Sequence, residues 1–587
     1  MDFYSFYKGH NFDAHEYLGA HRTENGVTFR TFAPSASGVS LLLCGSEIPM
    51  CKTYDGNFYE VTIDYAKCGD TYEYRIYRRD NTYTDHSDPY AFQTELRPSH
   101  KSVICDLSDY NFCDVKWMKS RTDCKNKPLN IYEMHLGSWR KTGDDEFYNY
   151  REIADLLVPY IKQSGYNYVE FMPVCEYPCD ESWGYQNTGF FSATSRYGKP
   201  TDLMYLVDTL HQNGIGVILD FVPVHFAVDE YGLSKYDGTA LYEYPNSAVG
   251  VSEWGSYNFM HSRGEVRSFL QSSANFWLSK FHFDGLRMDA ISRIIYWQGD
   301  SNRGVNGSAL DFIKVMNRGI KQRNPGCMLI AEDSTNYPNV TKPVDMGGLG
   351  FDYKWDMGWM HDTLDYFRTA PWLRSENYHK LTFSMMYFYN ENYLLPFSHD
   401  EVVHGKAAIT QKMNGQYEEK FPQARAMYLY MMAHPGKKLN FMGNEIAQLR
   451  EWDEKRQQDW DLRKYPLHDS FYCFMTDLNK LYLEHSALHN DYSPDNFEWA
   501  DCHSEEDRVY AILRKSGTEK LLAVFNFDGA EKRYALKLCD ITIARLLLNT
   551  DFEKYSGKSK EQDNFTVSNG GIEFDLAPFS GVLLEIE

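Results

Sequence analysis

No apolar stretch in the 587 residues approaches the ~20 that a membrane span needs. The opening residues, Met1-Asp2-Phe3-Tyr4-Ser5, have neither the basic nor the apolar stretch of a secretory leader. Basic side chains are in deficit, 60 Lys and Arg against 82 Asp and Glu, and the formal charge of -22 argues against a nucleic-acid surface or an anionic membrane as partner. The 12 cysteines have no repeated spacing. Their near pairs, Cys44/Cys51, Cys105/Cys113 and Cys175/Cys179, match no zinc-ligand pattern, so they read as reduced thiols of a cytoplasmic protein with no metal. Internal repeats, low-complexity tracts and heptads are missing too. These absences leave a soluble protein with a neutral substrate, expected as a monomer or weak oligomer.

What is abundant is aromatic: 16% of the chain, with 45 Tyr and 36 Phe. Aromatic rings fill cores, and they also supply flat amphipathic faces for sugars. The length exceeds what one hydrophobic core serves. Short β-rich runs at 27–32, 39–43, 58–63 and 71–77, separated by Pro and Gly turns, predict an N-terminal β-sandwich within 1–112. The polar stretch 107–128 reads as a linker into a second domain. From Leu129 strand-like and helix-like segments alternate. Candidate strands at 130–136, 166–173, 215–223, 283–289, 328–332, 351–356, 394–399 and 438–442 predict a (β/α)₈ TIM barrel over 113–485, of α/β class. A polar, Tyr- and Gly-rich insertion, about 225–262, follows the third strand. Renewed short strands predict a C-terminal β-sandwich over 486–587.

In such a barrel chemistry collects at the C-terminal strand ends, and polar residues stand at four of them. The third strand runs into Asp220 and His225, the fourth into Arg287 and Asp289, the fifth into Glu332 and Asp333, the seventh into His399, Asp400 and Glu401. Read alone, Arg287 and Asp289 make an ordinary structural ion pair, two residues apart on one strand face. Several carboxylates on one rim would repel one another unless a cation, a proton or a ligand separates them. Two carboxylates flanking an anomeric carbon, one nucleophilic and one protonated, are the solution for glycosidic cleavage with retention. Asp289 beside a guanidinium suits the ionised role, and Glu332 at the end of an apolar run suits the acid. Asp400 and His399 suit hydrogen bonds to sugar hydroxyls. Asp220 suits equally a bond to Arg287 or a sugar contact. His399 and His404 are five apart, not the four of a zinc helix. His211, His434 and His468 read as structural or surface residues.

The segments Asp220-Phe221-Val222-Pro223-Val224-His225, Gly285-Leu286-Arg287-Met288-Asp289, Ile330-Ala331-Glu332-Asp333 and Phe397-Ser398-His399-Asp400 resemble, in order, the four motifs of the α-amylase superfamily, glycoside hydrolase family 13. Within it the chain most resembles the glycogen (1,4-α-glucan) branching enzymes, through Tyr132-Glu133-Met134-His135-Leu136-Gly137-Ser138-Trp139, Ser182-Trp183-Gly184-Tyr185-Gln186 and the run from Ser398 to Lys406. That resemblance implies Asp289 as nucleophile, Glu332 as acid/base and Asp400 as transition-state stabiliser, with Arg287, His225, His399 and a stacking Tyr185 around the cleaved glucose. It also implies an α-1,4-glucan as donor and acceptor, and neither a cofactor nor calcium. A glucan hydrolase and a catalytically silent glucan-binding protein are the competing readings. The resemblance lapses at two places. Asp333 follows Glu332 where these enzymes usually carry a second glutamate, and residues 44–50 lack the Gly-Asp-Phe-Asn-x-Trp-like turn of the N-terminal module, which leaves that domain a packing role beside glucan binding. Among tryptophans, Trp372, Trp452 and Trp460 are candidates for surface glucan contact, with core or loop packing the competing role.

Overall fold

The computed structural model describes residues 1–587 apart from 144–145, 539–540, 561–563 and 569, and at 564 the backbone alone. Eight parallel strands close into a barrel: β1 (Asn130–Met134), β2 (Tyr168–Phe171), β3 (Gly216–Phe221), β4 (Gly285–Met288), β5 (Met328–Ala331), β6 (Tyr353–Trp355), β7 (Tyr393–Phe397) and β8 (Lys437–Phe441), each hydrogen-bonded to the next and β8 back to β1. Every strand falls inside or within a residue of its expected run. Buried on both faces, they read as continuous apolar segments broken only where a polar side chain points inward. Gly285 opens β4 because a Cβ there would stand 2.7 Å from the Met328 side chain of β5.

Six of the seven connections between these strands carry an α-helix, among them Tyr150–Ser164, Pro200–Gln212, Gly264–Lys280 and Gly307–Arg323, and a further helix, Pro466–Glu484, follows β8. The first starts in a capping box, Asn149 accepting from the Glu152 N–H while Glu152 accepts from the Asn149 N–H, and ends at Gly165 in the left-handed region. Between β5 and β6 the chain makes only the 3-10 turn Val344–Met346, the one departure from a full (β/α)₈ pattern.

The polar stretch 107–128 proves to be bound to the barrel floor. Its short helix Val115–Ser120 sends the Trp117 indole N–H to Asp284 at 2.8 Å, and Asp114 pairs with His211 at 2.8 Å and His282 at 2.9 Å. Most of the stretch still faces water, and it is the buried Asp114 together with the partly buried Trp117 that tie it to the barrel.

The N-terminal strands form two sheets, one ordered Gly19–Thr23, Gly26–Phe32, Phe58–Ile63, Cys51–Thr53, the other built on Gly38–Leu43 and Thr71–Tyr77. This domain leans on the insertion after β3: Thr31 and Tyr236 share a 2.6 Å hydroxyl contact, and the Ser35 N–H donates to Asp237. Residues 44–50 form a tight hairpin into Ser46–Pro49. The C-terminal domain pairs a six-stranded sheet running from Phe497–Ser504 to Asn564–Phe565 with a three-stranded one. No helix among the described residues is long and apolar enough to cross a membrane.

Candidate active site

Parallel pairing of β3 with β4 sets Asp220 directly opposite Arg287, and both side chains enter the barrel. Arg287 is fully buried, and its Nη1 donates to Asp220 at 2.6 and 2.7 Å and to Asp289 at 3.0 Å, while Nη2 lies 3.4 Å from Glu332. The indole of Trp355, from β6, stacks against the guanidinium at 4.3 Å. One cation thus holds three carboxylates from three successive strand ends.

Beyond Asp289 the backbone turns sharply. Ala290 takes φ +49°, a left-handed value unusual for a residue with a side chain, and this aims its N–H at the Glu332 carboxylate, 2.6 Å away. The Ile291 N–H then donates to the Glu332 carbonyl. The two carboxyls are therefore fastened to each other through both a guanidinium and a turn.

Tyr185 donates its hydroxyl to Asp220 at 2.6 Å and lies 3.2 Å from His399 Nε2, its ring stacked on the imidazole. Of the two readings of Asp220, its geometry is that of an Arg287 partner: both oxygens are engaged and the residue is 1% exposed. His399 is gripped from below by Glu133 of β1, which accepts from both its backbone N–H and its ring Nδ1. Asp400 stands 3.5 Å from His399 Nε2 and is the most open carboxyl, with 43% of its side chain exposed. His225 is buried against Trp254, the ring centres 5.2 Å apart. Tyr185, His225, Trp254, Asp289, Glu332, His399 and Asp400 line a pocket of about 370 Å³ together with Trp183, Gln186 and His404.

Electrostatics separates the roles. Burial pushes Asp289 well above the usual carboxylate range, against Arg287, with Glu332, Asp220 and Asp400 adding to the rise. Glu332 is raised by burial too, and by Asp400, against Arg287 and the Ala290 N–H. Asp289 and Glu332 consequently titrate as an interacting pair in which the charged form of each is disfavoured. Arg287, expected to steady Asp289, is divided among three carboxylates, Asp220, Asp289 and Glu332. Asp400 behaves oppositely: burial would raise it, but His399, Arg287 and Lys406 bring it below the usual value. Burial would also discharge His399, yet Glu133 and Asp400 push it up to about 9, so its ring is cationic at neutral pH. His225 has no such partner, and burial brings it down to about 3.

All eight residues singled out in the sequence converge here. Glu133, Glu170, Trp183, Trp254 and Trp355 were not singled out. Glu133 and Glu170 face each other in register on β1 and β2, and the signal available was a lone carboxylate inside each apolar strand. The tryptophans carry no such mark, since nothing in a sequence distinguishes an indole at a pocket from one in a core. Trp452 is buried and Trp460 binds the Trp139 carbonyl, both packing roles, whereas Trp372 is exposed. His404 stacks on Trp183, and no group of three or more His, Cys, Asp or Glu among the described residues is arranged to hold a metal.

Comparison with known proteins agrees with this geometry. Residues 2–90 match the family described as alpha-1,4-glucan branching enzyme GlgB, N-terminal domain, 137–237 the alpha amylase catalytic domain, and 499–587 the alpha amylase C-terminal all-beta domain. The 1,4-alpha-glucan branching enzyme GlgB of Fusobacterium nucleatum is 45% identical over 90% of this chain and 88% of its own. That of Aquifex aeolicus is 43% identical over 99% and 95%. Among solved structures, pullulanases from Bacillus acidopullulyticus and Anoxybacillus superpose with TM-scores of 0.76 at 16% and 18% identity, covering 99% of this chain and 76% and 89% of theirs, a likeness of fold alone. With such identity sustained over nearly the whole of both chains, this chain belongs to the 1,4-alpha-glucan branching enzyme GlgB family.

Proposed function

We infer that the protein is a retaining transglycosylase that cuts an α-1,4-glucan and rejoins the freed end to a glucan 6-hydroxyl as an α-1,6 branch. The observation that carries the reading is Arg287 bonded at once to Asp220, Asp289 and Glu332 in a chain of this family. A guanidinium within reach of both carboxyls holds them at one site, as a nucleophile and an acid acting on the same bond require.

In the reactive arrangement Glu332 carries a proton. Asp289 attacks the anomeric carbon, the glycosidic bond breaks, and Glu332 gives its proton to the departing oxygen. A covalent glycosyl-enzyme results. Glu332, now a carboxylate, takes the proton of the acceptor's 6-hydroxyl, whose oxygen attacks the same carbon and releases Asp289. Positive charge gathering on the sugar ring is met by the ionised Asp400. Tyr185, braced on Asp220 and His399, offers its ring to the cleaved glucose. His399 donates to a sugar hydroxyl through Nε2, its Nδ1 being taken by Glu133, and neutral His225 contributes a hydrogen bond from the other side. We place an N-terminal β-sandwich resembling a carbohydrate-binding module over 1–112, the catalytic barrel over 113–485 and a C-terminal β-sandwich over 486–587.

The test is a paired assay on amylose. Loss of iodine colour with little gain in reducing ends is the expected result. Reducing ends rising in step with the colour loss would replace branching by hydrolysis, and neither change would leave a binding protein.

A further inference from the structure

Two aromatic flanks border the pocket, and they differ in what they stand beside. Trp183 lies on the Asp400 side, stacked on His404 at 5.4 Å and packed on Trp452 at 4.8 Å. Trp254 lies opposite, at the tip of the insertion after β3. A turn closed by Ser252 N–H to the Ser256 carbonyl, with Gly255 at φ +78°, lifts it over the mouth. There the residue is 47% exposed, a large apolar surface left open beside the buried His225 and His399.

The exposed ring is held firmly. The Arg293 guanidinium stacks on it at 4.3 Å and is itself fixed by Glu253 at 2.6 Å and Gln298 at 2.9 Å. Gln186 donates to the Trp254 carbonyl at 3.3 Å. A side chain clamped by a charged partner and yet half open is arranged for a ligand rather than for packing. Its side of the pocket is fixed by the short helix Ser292–Ile295 that carries Arg293. The turn into that helix places the Ala290 and Ile291 N–H groups on Glu332. The acid must stand at the oxygen that leaves and, in the second step, at the oxygen that arrives.

We propose that Trp254 is the stacking platform for the glucose ring on the leaving and accepting side of the scissile bond, and that it directs the glycosyl-enzyme toward a glucan hydroxyl in preference to water. A sugar presents one apolar face, which an indole covers while water is expelled from the approach to the anomeric carbon. In the transfer step the bond from that carbon to Asp289 breaks, a bond to the acceptor oxygen forms, and the hydroxyl proton passes to Glu332. Trp254 takes no part in the bond changes and acts by holding the acceptor. The proposal rests on the glycosyl-enzyme reading above.

The experiment uses α-maltosyl fluoride as donor, whose leaving group needs no sugar subsite, with maltoheptaose as the added acceptor. Fluoride release reports the glycosyl-enzyme, and the ratio of transfer product to maltose reports its partition. Trp254→Ala is expected to lower that ratio about tenfold at low acceptor, through a raised KM for maltoheptaose, with fluoride release much less affected. Trp254→Phe, which keeps a ring, is expected to fall between the two. An unchanged partition in Trp254→Ala overturns the proposal, as does equal loss of fluoride release in both variants, which would make the residue structural. If the parent protein releases fluoride but never transfers to maltoheptaose, the branching reading itself falls, an outcome visible without any variant.

Discussion

At the N-terminal end of the barrel Asp491 is wholly buried yet faces Lys437 at 3.0 Å and Arg514 at 2.9 Å, while Asp114 and Asp284 grip His211 at 2.8 and 2.9 Å. At the C-terminal end Glu133, Glu170, Asp220, Asp289, Glu332 and Asp400 have only Arg287 and His399 among them as close buried cations. The floor is balanced, and Asp491 falls below the usual carboxylate range: burial opposes its charge, but Lys437 and Arg514 outweigh it. The rim is overloaded with negative charge, and four of its acids, Glu170, Asp220, Asp289 and Glu332, are raised. Buried charge in a neutral cluster can hold domains together, whereas unbalanced charge is retained where a reaction uses the proton it traps.

Substitutions at the two ends should therefore fail in opposite ways. Asp289→Asn is expected to abolish transfer, by about a thousandfold or more, in a protein that melts no lower than the parent, because a like charge has left the rim. Substantial activity in the folded variant would remove the nucleophile assignment. Asp491→Asn strands Lys437 and Arg514 without their anion, so denaturant unfolding should show a loss of about 3 kcal/mol or more, with activity per folded molecule retained. A stability close to the parent would show that the floor network is dispensable.

His211 sharpens the comparison through pH. Burial opposes its charge, but Asp284 and Asp114 prevail and raise it above 6.5. A raised folded value means a stabilisation fully present below 6.5 that fades as pH climbs through the folded value. Thermal melting of His211→Gln should accordingly differ most from the parent at pH 6 and converge with it in alkali. A gap that widens with pH would reverse the assignment. Asp114 shifts the other way: burial opposes its charge, but His211 and His282 hold it below the usual range, so its contribution is lost only in acid.

The smallest effect belongs to Glu170. Fully buried, with no hydrogen-bond partner on either oxygen, it is raised well above the usual range by burial, then by Glu133 and Asp220. A buried carboxyl pushed toward its neutral form is closely copied by an amide. Glu170→Gln should stay within about 1 kcal/mol of the parent and keep its activity. A large loss would mean that Glu170 is ionised inside the barrel.

Legibility followed the physics of each signal. The strand ends were readable because a barrel confines chemistry to one rim, so four polar strand ends in order meant one site. The alternation of strand-like and helix-like segments from Leu129 was readable from local pattern, and the structure sets α-helices between most of the barrel strands. The segment 107–128 misled because its partners, His211 and Asp284, lie far off in sequence. Asp220 stayed ambiguous for the same reason, its choice between sugar and guanidinium depending on a register between β3 and β4.

By itself the sequence determined the strand count, the order of the domains and the identity of the polar residues on the rim, since period, turn chemistry and strand-end polarity are local properties. Only the tertiary structure decided how charge is shared. Closing the barrel divided Arg287 among Asp220, Asp289 and Glu332, set Glu133 under His399, and left Trp254 open at the mouth with Arg293 behind it. Charge sharing depends on distance and burial across strands that are remote in the chain, and those quantities exist only once the chain has folded.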